Sequence, residues 1–293
     1  MPAKAYLDYT QEELDRAYDQ TAWANNRSEM VAWYAAESAK ARAKLEFRRS
    51  VRYGPGEDET LDIFPAAAAG APVHVHVHGG RWSVFTKEDM SFIAPTFVSA
   101  GAACVVLDFS CIPKVRIPAM VDQVKRAIAW VHANAASFGG DPRRIHVSGH
   151  SSGAHLAGVA LLTDWEGEFG LPSDTVKSGL LISGMYDLRP VMLSARSSYV
   201  KLSAGEVDAF SAILRPEALA APVTLVCGDR ETPEFRRQPK AYAAALGVAG
   251  KSARLIEIPG VNHFEILQLL GDPESVLSRE ALRLMTKASS KSC

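Results

Sequence analysis

Apolar and polar positions along this chain change rhythm several times, and each change marks an element. From about Tyr9 to Lys44 the residues are rich in Ala, Glu and Arg, which predicts a helical N-terminal arm. Glu46 to Tyr53 alternates like a strand, Gly54-Pro55-Gly56 is a turn, and Thr60 to Phe64 is a second strand. The tight turn between them predicts an antiparallel pair. From Pro72 onward, short apolar runs alternate with helical patterns. Val73–His78, Ala103–Phe109, Arg144–Ser148, Gly179–Ser183, Val223–Cys227 and Leu255–Ile258 read as strands. Met90–Ser99, Ala119–Phe138 and Ser152–Leu162 read as helices, and the last helical pattern ends near Lys287. In the longest, Met120, Val121, Val124, Ile128 and Val131 share one face.

Strands that alternate with helices predict an α/β fold with a mostly parallel central sheet, flanked by helices on both faces. The stretch from Pro190 to Pro222 shows no strand and several polar positions, so a small helical cap at about 190–222 is expected over the site. There is no internal repeat and no low-complexity linker. Residues 1–293 are therefore read as one domain, with 1–44 as its arm.

Composition removes several classes of function. Hydrophobic residues make up 47% and charged residues 22%, ordinary for a chain with a sizeable core. Net charge is −1 from 32 basic and 33 acidic residues, with no basic block, so no nucleic-acid partner is expected. Met1 to Gln20 is polar and lacks the apolar core of a signal peptide. No stretch approaches the roughly 18 apolar residues of a membrane helix, so no membrane association is expected. Cys104, Cys111, Cys227 and Cys293 show neither C-x-x-C pairing nor zinc spacing. The expected setting is reducing and cytoplasmic.

The chemistry is concentrated in three places. Gly149-His150-Ser151-Ser152-Gly153 matches G-x-S-x-G, with a predicted strand before it and a predicted helix after it. That context makes the motif a nucleophile elbow, a turn so sharp that small residues must flank the serine. Ser151 is the predicted nucleophile, and the backbone N–H of Ser152 the predicted oxyanion donor. His78-Gly79-Gly80-Arg81-Trp82 follows another strand and has the H-G-G form of an oxyanion loop, with Gly79 and Gly80 as donors. His74, His76 and His78 alternate onto one face of that strand. A metal site is the sharp reading of this pattern. The plain one is that His74 and His76 are buried and hydrogen-bonded while His78 shapes the loop.

His263 follows the last strand, where the base belongs in a Ser…acid…His order. The acid has three candidates: Asp229 and Glu231 after the strand ending at Cys227, and Asp187 after the strand ending at Ser183. Loops of this type commonly carry the acid three residues beyond the glycine, and counting from Gly228 selects Glu231, with Asp229 second.

Taken in order, these segments resemble the arylformamidases, or kynurenine formamidases, of the α/β-hydrolase superfamily. His78–Trp82 is similar to the family's H-G-G-x-W, and Met120-Val121-Asp122-Gln123-Val124 is a further shared run. Gly149–Leu156 is similar to GHSAGAHL, Ser183–Leu188 to SGxYDL, Thr232–Gln238 to SPEFxxQ and His263–Ile266 to HFEI. The family's catalytic Asp, just before SPEF, falls on Glu231, which implies a Ser–His–Glu triad. Arg81 replaces a commonly aromatic residue, and Asn262 stands where Asp is common.

The resemblance implies hydrolysis of an N-formyl arylamine such as N-formyl-L-kynurenine, with a small-molecule substrate, no cofactor and no metal. The same machinery would serve a small-substrate carboxylesterase, and a non-catalytic binding protein that kept the fold is the third reading. Arg81 and Trp82 are expected to touch substrate, Arg81 by pairing with a carboxylate or else by pointing to solvent. A homodimer is left open.

Overall fold

The computed structural model describes residues 3–287, so Cys293 lies outside the described residues. The chain opens with α1 (Gln11–Ala17) and α2 (Arg27–Lys44), followed by β1 (Arg48–Arg52), β2 (Thr60–Phe64) and β3 (Ala71–Val77). Then come α3 (Ala94–Ser99), β4 (Ala103–Leu107), α4 (Ile117–Asn134), β5 (Gly140–His150), α5 (Ser152–Ala160), α6 (Trp165–Phe169) and β6 (Val176–Ile182). The helices α7 (Arg189–Leu193), α8 (Ser197–Val200) and α9 (Ala204–Phe210) occupy the segment read as a cap. The chain continues with β7 (Val223–Gly228), α10 (Pro233–Val248), β8 (Ala253–Ile258), α11 (Glu265–Gln268) and α12 (Val276–Lys287).

The strands form one sheet in the order β1-β2-β4-β3-β5-β6-β7-β8. β2 runs antiparallel to both β1 and β4, and every pair from β4 to β8 is parallel. Parallel strands need covering on both faces, and two apolar layers supply it. Val73, Val75 and Val77 of β3 face one layer, with Met120, Val124, Ile128 and Val131 of α4 and Leu156 of α5. The opposite face packs Met30 and Tyr34 of α2, Phe97 of α3 and Leu277 and Leu284 of α12 against Cys104 and Val106 of β4. β3 reaches this second layer with His74 and His76, and the His74 ring stacks on Phe97 at 3.6 Å between centroids. The mostly parallel α/β sheet predicted from the alternation of elements is thus observed.

The N-terminal arm consists of two helices, α1 and α2, separated by a single 3-10 turn at Gln20–Ala22. Thr10 and Glu13 form a reciprocal capping box that starts α1, and the Asp19 carboxylate accepts from the Thr21 N–H to start the turn. A short Asp side chain satisfies backbone groups outside a helix at little cost, and Asp19 does so where α1 and α2 separate. The break matters: it lays the arm across the C-terminal ends of the strands. There Thr232 Oγ donates to the Ala17 carbonyl at 2.6 Å, and the Tyr34 hydroxyl donates to the Phe264 carbonyl. No described helix is long and apolar enough to cross a membrane.

Candidate active site

The parallel strands all present their C-terminal ends at one edge, and the loops leaving β3, β5, β7 and β8 converge there. At the end of β5 the chain reverses into α5 through Ser151, whose φ of 56° and ψ of −121° lie outside the ordinary helix and strand regions. Such a conformation costs about 1–3 kcal/mol and persists only where its surroundings enforce it. Here the Ser151 N–H donates to the Ile182 carbonyl at 2.9 Å. The flanking glycines are set by contact: a Cβ at position 153 would stand 2.2 Å from the Val77 carbonyl oxygen, and one at 149 would stand 2.4 Å from that of Gly153.

The bend aims the Ser151 hydroxyl at the loop after β8. Ser151 Oγ lies 2.9 Å from His263 Nε2, and His263 Nδ1 lies 2.7 Å from Glu231 Oε2. All three side chains are buried. Glu231 Oε1 accepts from the Gly228 N–H at 2.7 Å and from the Ser183 hydroxyl at 2.6 Å. Burial pushes the Glu231 carboxyl upward, and these donors oppose it by favouring the charged form. Burial, with the nearby Arg196 charge, holds the His263 ring well below the ordinary imidazole range, so it stays neutral and able to accept a proton. With Nδ1–H committed to Glu231, Nε2 is the free base and faces the Ser151 hydroxyl.

The other two acids are elsewhere. Asp229 accepts from the Gly260 N–H at 2.7 Å and braces the loop after β8. Asp187 forms a bidentate pair with Arg189, at 2.9 and 2.8 Å, and accepts from the Tyr6 hydroxyl. Neither makes a hydrogen bond to His263.

The glycine loop after β3 sits beside the elbow. A Cβ at Gly79 would lie 3.3 Å from Ser151 Cβ, and Gly80 lines the same cavity as Ser151 and His263. The loop is held in an unusual shape, since Gly80, Arg81 and Trp82 all have positive φ. Its anchor is Trp82. Expected to touch substrate, this side chain is instead fully buried and does not line the cavity. Its indole N–H donates to His155 Nδ1 at 3.2 Å, and its backbone N–H donates to the Ser152 hydroxyl at 3.1 Å. A tryptophan this large gains more from core burial than from exposure. Sealing it below the loop offsets the cost of the left-handed residues above it. Arg81, by contrast, lines the cavity and is exposed.

His78 does shape this loop. Its ring stacks on Phe109 at 4.3 Å, and its nitrogens meet the Gly79 carbonyl at 2.9 Å and Asp108 at 3.1 Å. His74 and His76 both hydrogen-bond to Ser148, at 2.8 and 2.7 Å.

The cavity measures about 410 Å³, the size of a small-molecule site. Several of its walls were not legible in the sequence. The arm supplies Tyr18 and Gln20, and the cap segment supplies Arg196 and Tyr199. His150 lines it too, and its Nε2–H donates to the His263 carbonyl at 2.9 Å, fixing the loop that carries the base. Asn262 accepts from the N–H groups of Phe264 and Glu265 and bonds to Asn26 of the arm at 2.9 Å. The residue that departs from the resembled pattern thus braces the backbone entering α11 and ties the arm to the loop that carries His263.

An eight-stranded, mostly parallel sheet with this site at its strand ends is the α/β-hydrolase fold, and the chain is a hydrolase similar to kynurenine formamidases and esterases. Comparison with known proteins agrees. A family model described as BD-FAE matches residues 61–178. Kynurenine formamidase of Danio rerio is 28% identical over 292 residues, covering 95% of this chain and 98% of that protein. Esterase LipQ of Mycobacterium tuberculosis (strain ATCC 25618 / H37Rv) is 34% identical over 236 residues, covering 73% of this chain and 56% of that one. The solved structure of an esterase from Pyrobaculum calidifontis superposes with a TM-score of 0.72 at 19% identity, covering 95% of this chain and 97% of that one. Within that fold, then, the chain is kynurenine formamidase-like over nearly its full length.

Proposed function

We propose that this protein hydrolyses the formamide bond of an N-formyl arylamine such as N-formyl-L-kynurenine, releasing formate and the free amine through a formyl-enzyme on Ser151. The observation that carries the reading is the unbroken line from Ser151 Oγ to His263 Nε2 and from His263 Nδ1 to Glu231, at 2.9 and 2.7 Å, opening on a small-molecule cavity. The kynurenine formamidases of Danio rerio and Salmo salar, each 28% identical, support the choice of bond.

In this mechanism Ser151 Oγ attacks the formyl carbon while its proton passes to His263 Nε2. Glu231 keeps the ring in the right tautomer and stabilises the imidazolium. The carbonyl oxygen becomes an oxyanion, held by N–H groups of Gly79, Gly80 and Ser152, each such donor worth about 3–4 kcal/mol. The tetrahedral intermediate collapses, the C–N bond breaks, and His263 gives its proton to the departing amine. Water then gives a proton to His263 and its oxygen to the formyl carbon. Formate leaves and Ser151 regains its proton.

A second reading, hydrolysis of small carboxylic esters, is favoured by the 34% identity to LipQ. Turnover of N-formylkynurenine measured beside p-nitrophenyl acetate and longer esters separates the two. The formamidase reading requires deformylation at kcat/KM above that for the esters, and no detectable formate release would sink it. Labelling of the wild-type protein, and not of S151A, by a fluorophosphonate probe tests the nucleophile independently of substrate.

A further inference from the structure

The cavity holds a feature that attack on a formyl group does not use: a buried guanidinium that forms no ion pair among the described residues. Arg196 is only 5% exposed. Its Nε and Nη2 both donate to the Tyr18 carbonyl, at 3.2 and 2.7 Å, and its Nη1 faces Met185 Sδ at 3.7 Å. The group lies against the Tyr18 and Phe235 rings, 5.4 and 5.6 Å from their centroids. One carbonyl, one thioether and two ring faces leave part of its five-donor fork unclaimed. A desolvated cation without an anionic partner is expensive, so such a group is expected to meet its counter-charge in a ligand.

Two further side chains of the same cavity show the same deficit. Gln20 is 7% exposed, and neither its amide nitrogen nor its amide oxygen has a partner. The Tyr199 hydroxyl is buried and unpartnered as well. Two carboxylates line the cavity: Asp15, which accepts from the Ala195 N–H at 2.6 Å, and Asp19, which accepts from the Thr21 N–H at 3.0 Å and whose charge reaches Arg196 without an ion pair. Against these two stand the guanidinium groups of Arg16, Arg27, Arg81 and Arg196. The Phe235 ring that Arg196 covers also packs edge-on against His263, at 4.7 Å, so the cation stands one ring away from the base.

We propose that Arg196, with Gln20 and Tyr199, is the specificity subsite for a carboxylate carried on the leaving group of the substrate, a conclusion that rests on Ser151 as the nucleophile in the same cavity. The guanidinium fork offers paired N–H donors to a planar carboxylate, a geometry that a lysine could not supply. The Gln20 amide and the Tyr199 hydroxyl complete the ring of donors. Arg16 and Arg81, exposed at the cavity wall, add a positive field that draws an anionic substrate inward.

The test compares N-formylkynurenine with its carboxamide, which keeps the shape and removes the charge. In S151A, which binds without turnover, calorimetry is expected to show the acid binding about ten-fold or more tighter than the carboxamide. Equal affinities, or no binding of either, overturn the proposal. In the active enzyme, R196Q is expected to bring the ratio of kcat/KM for acid over carboxamide towards one, mainly through KM, and Q20L and Y199F to lower it by less. If R196Q slows both substrates by the same factor and leaves the ratio intact, Arg196 is structural and the proposal fails. Should R196Q not fold, the S151A comparison decides alone. Failure of the hydrolytic reading would be seen separately, as absent fluorophosphonate labelling, and leaves the calorimetric comparison standing.

Discussion

Three buried serines among the described residues, Ser148, Ser151 and Ser178, lie within hydrogen-bond distance of histidine, and only one has the surroundings of a nucleophile. Ser148, in the middle of the sheet on β5, meets His74 at 2.8 Å and His76 at 2.7 Å. Ser151, three residues on, meets His263 at 2.9 Å. Distance does not separate the pairs, and neither does burial, which lowers the basicity of all three rings. The differences lie in the third partner and in access. No carboxylate orients His74 or His76, and Ser148 is fully buried between strands in regular extended backbone. His263 is fixed by Glu231, and Ser151 is thrust by a strained turn into a cavity. A serine–histidine contact therefore defines a polar core bond unless an acid fixes the tautomer and a cavity admits substrate.

The sharpest way to break this comparison is Ser151→Ala, which is expected to lower kcat by about 10⁴-fold or more while the protein stays folded. Formate release and circular dichroism check the two halves. Next in size is Glu231→Gln, expected to lower kcat by about 10³–10⁴-fold, because the amide no longer enforces the tautomer that leaves Nε2 free. Asp229→Asn serves as its control. A large loss there, with little for Glu231, would reverse the assignment of the acid.

Ser148→Ala should behave in the opposite way. It leaves two buried imidazoles short of a partner, so about 1–3 kcal/mol of stability is lost in urea titration, while kcat/KM of the folded protein holds. Equal loss of activity would dissolve the distinction between the pairs. The smallest effect is in pH dependence. Only the neutral His263 ring accepts the serine proton, and its pKa is depressed, so it stays neutral to lower pH than a free imidazole. The acid limb of kcat/KM belongs to the coupled His263–Glu231 pair, and its His263 component is expected below the ordinary value of about 6.5. R196Q, by removing the neighbouring positive charge, should move that limb upward.

Much of this site was written locally. The elbow is a run of five residues and the glycine loop after β3 a similarly short motif; Gly149 and Gly80 answer to contacts within their own turns, while Gly153 and Gly79 are set by the contact between the two loops. The choice of Glu231 over Asp229 could be made by counting from Gly228, because a strand end and a tight loop leave few ways to aim a side chain. Trp82 shares a loop motif with Arg81, and nothing in that motif tells that its side chain is buried beneath the loop against His155 while Arg81 faces the cavity.

The order of the elements, the parallel sheet, the elbow and the chemical types gathered at its strand ends are all present in the linear chain. Each follows from periodicity or from backbone constraints that act over a few residues. Tertiary structure alone decided what surrounds that chemistry. The arm's break at Gln20, the 190–222 segment that delivers Arg196 and Tyr199 to the cavity, the Ser183 donor to Glu231 and the Asn262 tie to Asn26 join residues far apart in the chain. Such pairings leave no periodic trace, because they depend on which surfaces remain to be covered once the sheet has formed.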